Sequence, residues 1–203
     1  LLRLLTRYGR FAGELETRQP LAALRFIPDR PELVAIGAYG TILGIDLEPD
    51  PRSERLKAFL DWEHQLLSTV GTLATSGGEG DMILLSCYTH GIQKYDLDGH
   101  HEGAYHLPGG VARAMPDFGG RWIAASTMEG DLAVLNRAGH VRWRDRLTRP
   151  PVALQLDAIG GYLIYVLETG EVTRLDISSV EDAPTPAHLA GTKVGAPSSI
   201  GSA

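Results

Sequence analysis

An all-β fold built from four-stranded antiparallel blades of about 40 residues, set around an axis, is predicted for this chain by three observations. The first is a repeat. Four stretches overlay without a gap, each closing on an apolar residue and a turn former: Ile45-Asp46, Tyr95-Asp96, Leu135-Asn136 and Leu175-Asp176, with a weaker copy at Leu5-Thr6. The turn formers stand at 6, 46, 96, 136 and 176, in steps of 40, 50, 40 and 40. The second is a set of short apolar runs in register with the repeat, starting 13 residues upstream at Leu33, Ile83, Ile123 and Leu163. The third is a turn before each run, at Asp29–Pro31, Gly77–Gly80, Gly119-Gly120 and Gly160-Gly161. Short apolar runs bounded by such turns read as strands buried on both faces. The architecture these features describe is a β-propeller, an incomplete ring of four blades plus part of a fifth.

Each strand of a blade has its own signal. The innermost carries Ala22/Leu24, Thr72/Ala74, Ala112/Ala114 and Val152/Leu154 in matching columns, small or apolar side chains suited to a crowded axis. The apolar run is the second strand. Gly40, His90, Gly130 and Gly170 mark the next hairpin, where glycine tolerates positive φ. The third strand holds Ile42, Ile92, Leu132 and Val172 and ends at the turn former. A turn with Gly99 or Gly139 leads to a polar outer strand such as Val141–Leu147.

The division that follows is residues 1–19 as outer strands of an incomplete blade and 20–68 as a blade with a loop insertion near 48–58. Blades at 69–109, 110–149 and 150–180 come next, the last open to extension as far as 192. Residues 181–203, with Ala183–Pro186 and a Gly/Ser/Ala/Pro-rich end, read as linker or flexible tail. Seven or eight blades of about 40 residues need roughly 280 to 320 residues. The ring is therefore expected to be completed by further blades, from the same polypeptide or another chain; a smaller closed ring with a spare hairpin is the third option.

Composition narrows function. A net charge of −6 argues against a nucleic-acid partner, despite basic residues at Arg137, Arg142, Arg144, Arg146 and Arg149, which read as a solvated outer strand. No stretch is long and apolar enough to insert in a membrane. The single cysteine, Cys87, lies in an apolar run, so it reads as a buried thiol; it suits a reducing compartment, and the cytoplasm is expected. His100-His101 would point to opposite strand faces and His140 repeats the place of His100, so these are turn positions and no metal is expected. No carboxylate pair, nucleophile elbow or phosphate loop is evident, so neither catalytic residues nor a cofactor are expected.

Recognition is expected instead. Loops between second and third strands share a face with the loops between blades, and loops on a rigid ring commonly carry binding. The candidates on that face are Tyr39, His90, Arg113, Glu129, Arg149 and Glu168. Tyr and Arg are the residue types that dominate interface hot spots. The 48–58 insertion is a second candidate, on the opposite face.

The run Val134–Trp143, with its Asn-Arg-Ala-Gly turn followed by a hydrophobic residue and a tryptophan, resembles the repeat of pyrroloquinoline-quinone-like propellers. Residues 1–180 are similar, more broadly, to WD-repeat-like propellers, although no Trp-Asp pair ends a third strand. The resemblance implies a non-catalytic scaffold for protein–protein interaction within a larger protein or assembly. Its alternative is an extracytoplasmic quinoprotein-like module, for which Trp62, Trp122 and Trp143 are poorly placed to floor a cofactor funnel. Unpaired edges on an open ring invite association, so the isolated chain is expected to self-associate in sedimentation velocity; a monodisperse monomer would count against that.

Overall fold

The computed structural model describes residues 1–180 apart from Glu54, Leu67 and Ser179; the expected tail at 181–203 lies outside the described residues. Among the described residues, seventeen strands form five antiparallel sheets. An entry pair, β1 (Leu2–Leu5) and β2 (Phe11–Leu15), comes first. The first blade is β3 (Leu21–Phe26), β4 (Glu32–Gly37), β5 (Thr41–Pro49) and β6 (Leu56–Gln65). The second is β7 (Val70–Ser76), β8 (Met82–Cys87), β9 (Gly91–Tyr95) and β10 (His101–Tyr105). The third is β11 (Val111–Pro116), β12 (Trp122–Thr127), β13 (Asp131–Asn136) and β14 (Val141–Arg146). The fourth has three described strands, β15 (Ala153–Leu156), β16 (Tyr162–Val166) and β17 (Val172–Asp176). Within each sheet the strands lie in chain order, and β3, β7, β11 and β15 succeed one another as the inner strands.

The second strands show why blades stack. Successive side chains on a strand face opposite ways. On β4, Leu33 and Ala35 join the cluster with Leu4 and Ala12 of the entry pair, while Val34 and Ile36 join the cluster with Leu73, Ile83 and Leu85 of the second blade. On β8, Ile83 and Leu85 face back while Met82 and Leu84 pack with Ile123 and Ala125 of β12. Trp122 and Ala124 of β12 face forward, onto Leu154, Leu156 and Leu163 of the fourth blade.

The repeated turn former closes the outer hairpin. Asp96 Oδ1 accepts the His100 N–H at 2.7 Å, Asn136 Oδ1 accepts that of His140 at 2.9 Å, and Thr6 Oγ1 that of Arg10 at 3.2 Å. A short side-chain acceptor is what such a turn needs. The turns after Asp96 and Asn136 are then strapped to the preceding blade by an aromatic side chain from its outer strand. Trp62 Nε1 donates to Leu97 O at 3.1 Å, and Tyr105 Oη donates to Arg137 O at 2.6 Å. Gly99 and Gly139, at φ +79° and +82°, lie beneath these rings, where a Cβ would meet Trp62 at 2.6 Å and Tyr105 at 2.3 Å.

Three expectations change. The 48–58 insertion is in part strand: β5 and β6 continue pairing through Leu47↔Ala58, Glu48↔Lys57 and Pro49↔Leu56, leaving 50–55 as the tip. Asp46 therefore pairs with Phe59 inside a long hairpin and closes no turn. Burial raises its carboxyl pKa, helped by Asp61 and Glu48. The added strand length also packs: Leu47, Leu56 and Ala58 join the cluster with Leu4 and Ala12, and Arg55 lies over the Phe11 ring. In the second blade the inner strand slips by one residue. Ser76 pairs with Met82 across a tight 3-10 turn at Gly78–Gly80, whereas Phe26 pairs with Leu33 and Pro116 with Ile123. Leu73, not Ala74, is thus the counterpart of Leu24, Ala114 and Leu154.

Gly139→Ala and Gly170→Ala separate the two roles of these turns. Both residues have positive φ, but a Cβ at Gly170 meets nothing within 4 Å. Gly170→Ala should lower stability by about 1–2 kcal/mol, the left-handed penalty for an L-residue. Gly139→Ala should exceed it by a further ~1–3 kcal/mol, because Tyr105 must also move. Urea unfolding of the two variants checks the order.

Candidate protein-binding face

Small residues on the inner strands lay out one end of the ring. Three inner strands carry a bulge near their start, where Ala22, Gly71 and Ala112 are the extra residues between Leu21/Ala23, Val70/Thr72 and Val111/Arg113. A bulge bends the strand and brings backbone towards its neighbour. Gly71 sits so close to the next blade that a Cβ would stand 2.4 Å from Ala112 O. Ser86 Oγ ties this junction, accepting the Thr72 N–H at 2.7 Å and donating to Ala112 O at 3.0 Å.

The loops between second and third strands meet the loops between blades on this same face. Ala38 N–H donates to Pro20 O, Met128 N–H to Gly110 O and Leu147 N–H to Gly130 O, each at 2.8 Å. One hairpin glycine is displaced from its expected column: positive φ falls on Gly91, not at the position of His90.

A groove of about 360 Å³ opens here between the second, third and fourth blades. Its lining includes Gly71 and Ala112, the side chains of Tyr88 and Met128, and the charged groups of Arg113, Arg149 and Glu168. Tyr88 is 40% and Met128 53% exposed. Arg113 Nε donates to Pro151 O at 3.0 Å, which ties the third blade to the fourth and fixes the guanidinium plane. Arg149 and Glu168 form an exposed ion pair at 3.3 Å.

Three of the six expected residues, Arg113, Arg149 and Glu168, thus come together. The other three do not. Tyr39 is 73% exposed on the first blade's loop, its backbone held by Gln19 and Gln65. Glu129 packs its carboxylate against Gly109, and its carbonyl accepts from Arg146 Nη2. His90, bonded to Thr89 Oγ1 at 2.7 Å, lines a separate slot of about 590 Å³ with His64, His100 and His101. Tyr88 and Met128 escaped the sequence reading because they prolong apolar runs. The strands in fact stop at Cys87 and Thr127 and release both side chains into loops. Their signal is the column they occupy, otherwise filled by Ala38 and Glu168.

The outer basic strand is not simply solvated. Arg144 Nη2 and Arg146 Nη1 reach the buried Asp131 carboxylate at 2.9 and 3.3 Å, pinning β14 to β13. Burial pushes the Cys87 thiol up, away from the thiolate a nucleophile needs. Asp96, Asp98 and His100 bring ligand-type atoms within 4.8 Å of one another, but both Asp96 oxygens already accept from His100 in closing the turn. Trp62 and Trp143 stand on outer strands, and Trp122 is buried on a second strand. Among the described residues no helix is long and apolar enough to cross a membrane.

The geometry predicts different consequences for the groove's charged residues. Arg113→Ala removes a half-buried tie between blades and should cost about 0.5–1.5 kcal/mol. Glu168→Ala removes only a surface ion pair and should change stability by less than about 1 kcal/mol. Paired denaturation curves check this.

No family model matches this chain, and no curated protein matches it. Solved structures do. A crystal structure of BBS1N in complex with ARL6DN, soaked with lead, superposes with a TM-score of 0.64 at 16% identity, over 92% of this chain and 59% of that one. A mercury-soaked crystal of the same complex gives 0.64 at 14% identity, over 91% and 58%. The chain spans less than two thirds of the length of those neighbours, and at such identity the likeness is one of fold. With its succession of four-stranded antiparallel sheets, the chain has the fold of an incomplete β-propeller.

Proposed function

We propose that this chain is the non-catalytic, partner-binding part of a β-propeller, holding a protein within a larger protein or assembly on the face that carries the Tyr88–Met128 groove. The observation that carries the reading is the composition of that groove. An exposed tyrosine and methionine share its lining with Gly71, Ala112 and two arginines. Interfaces are enriched in aromatic residues, Met and Arg, and their energy concentrates where an anchor enters a pocket beside such groups. The BBS1N neighbours were themselves crystallised in complex with a protein, ARL6DN, which agrees with a binding role for the fold.

The likeness of Val134–Trp143 to quinone-like propeller repeats we read as shared turn chemistry. Asn136 closes that turn by accepting the His140 N–H, and Trp143 packs beside the cluster joining the third and fourth blades. Both serve the blade itself. The reducing compartment suggested by the lone Cys87 accords with a cytoplasmic setting.

A photo-crosslinking residue placed in turn at Tyr88, Met128 and, as a control, the outer-strand position Arg142 tests the reading in cells. Crosslinks to one defined protein from Tyr88 and Met128, and not from Arg142, are expected. Equal labelling from all three positions, or none from the groove, would sink the proposal.

A further inference from the structure

Resting on that reading, we propose that the groove recognises a carboxylate on an extended partner segment, gripped by Arg113 while a neighbouring apolar side chain of the segment lies between Tyr88 and Met128. Arg113 departs from its own repeat. The residues paired with equivalent positions on the second strands are Ala23, Thr72, Arg113 and Ala153, so a cation stands where the other blades place a small side chain. A blade does not need one there.

Its geometry is also prepared for an anion. The Nε bond to Pro151 O restrains the guanidinium beside the groove that Arg113 lines, with its two terminal amino groups able to act as a fork. A fixed fork matches a planar carboxylate through two parallel hydrogen bonds, and prior fixing lowers the entropy lost on binding. The local charge agrees. Two guanidinium groups face one carboxylate around the groove, on a chain whose net charge is −6. Arg149 is already paired with Glu168, so Arg113 is the cation of this lining offered to an incoming anion. The inter-blade approach has room for no larger residue than glycine at position 71.

The probes are fluorescein-labelled six-residue peptides pairing Leu, Phe or Met with Asp, with Asn, with phosphoserine, or with a free C-terminal carboxylate in place of the amide. Fluorescence anisotropy is read against the chain and its Arg113→Gln, Arg113→Lys, Met128→Gln and Lys57→Gln variants, each first confirmed folded by circular dichroism at the assay temperature. At least one Asp or free-carboxylate peptide should bind saturably, the two arms showing which source the groove prefers. Arg113→Gln should weaken it about tenfold or more, the scale of one charge-assisted pair. Arg113→Lys should recover only part, Met128→Gln should weaken it, and Lys57→Gln should not change it.

Equal binding of the Asn peptide, indifference to Arg113→Gln, preference for phosphoserine, or binding of none of the probes each overturns the inference. If groove crosslinks to a partner persist in those cases, only the carboxylate falls. If they vanish as well, the reading of the face falls with it.

Discussion

The central strands of every blade are apolar on both sides, and no single sheet can bury both. β4, β8 and β12 each send alternate residues into two different clusters, one shared with the blade before and one with the blade after. A half-exposed antiparallel sheet would alternate apolar and polar residues; here a strand is satisfied only as the filling between two neighbours. Stacking blades around an axis follows from that demand. The turns, bulges and straps then adjust how closely successive sheets approach. The fourth blade shows the demand from its other side: Leu163 and Tyr165 are buried against the third blade, while Tyr162, Ile164 and Val166 on the opposite face are more open.

Much of this was legible because the period of two and the repeat near forty act together. Runs such as Leu33–Gly37 and Ile123–Thr127 could hardly be anything but doubly buried strands, and the turn formers at 96, 136 and 176 marked where the third strand ends. The register slip of the second blade was hidden. Ser76 pairs with Met82 because a 3-10 turn takes up one residue less, and nothing in the apolar pattern of Val70–Ser76 distinguishes Leu73 from Ala74. The aromatic straps were hidden too, because Trp62 and Tyr105 act on the next blade, 35 and 32 residues along the chain.

The candidate face was half legible for a related reason. Loop membership follows from the repeat, so Tyr39, His90, Glu129 and Glu168 share the end of the ring that carries the loops between second and third strands. Proximity does not follow. Whether two loop side chains share a groove depends on where the strands stop and on the bulges at Gly71 and Ala112, which draw adjacent blades together. Arg113, Arg149 and Glu168 converge because the fourth blade's inner strand enters beside the third through Pro150 and Pro151. A ring that builds its floor from backbone can change the residues above that floor without disturbing its stacking.

The long first-blade hairpin turns the opening of the chain into a dependent element. Nothing within β1–β2 buries Leu4 or Ala12; they rest on Leu33, Leu43 and the added length carrying Leu47 and Leu56, and Gly13 lies so close to Leu56 O that a Cβ would stand 2.2 Å away. During synthesis Leu4 and Ala12 must therefore wait for some forty residues beyond their own hairpin to emerge before they find their seat. Amide protection in that leading hairpin should rise and fall with the strands it leans on, the two melting as one cooperative unit.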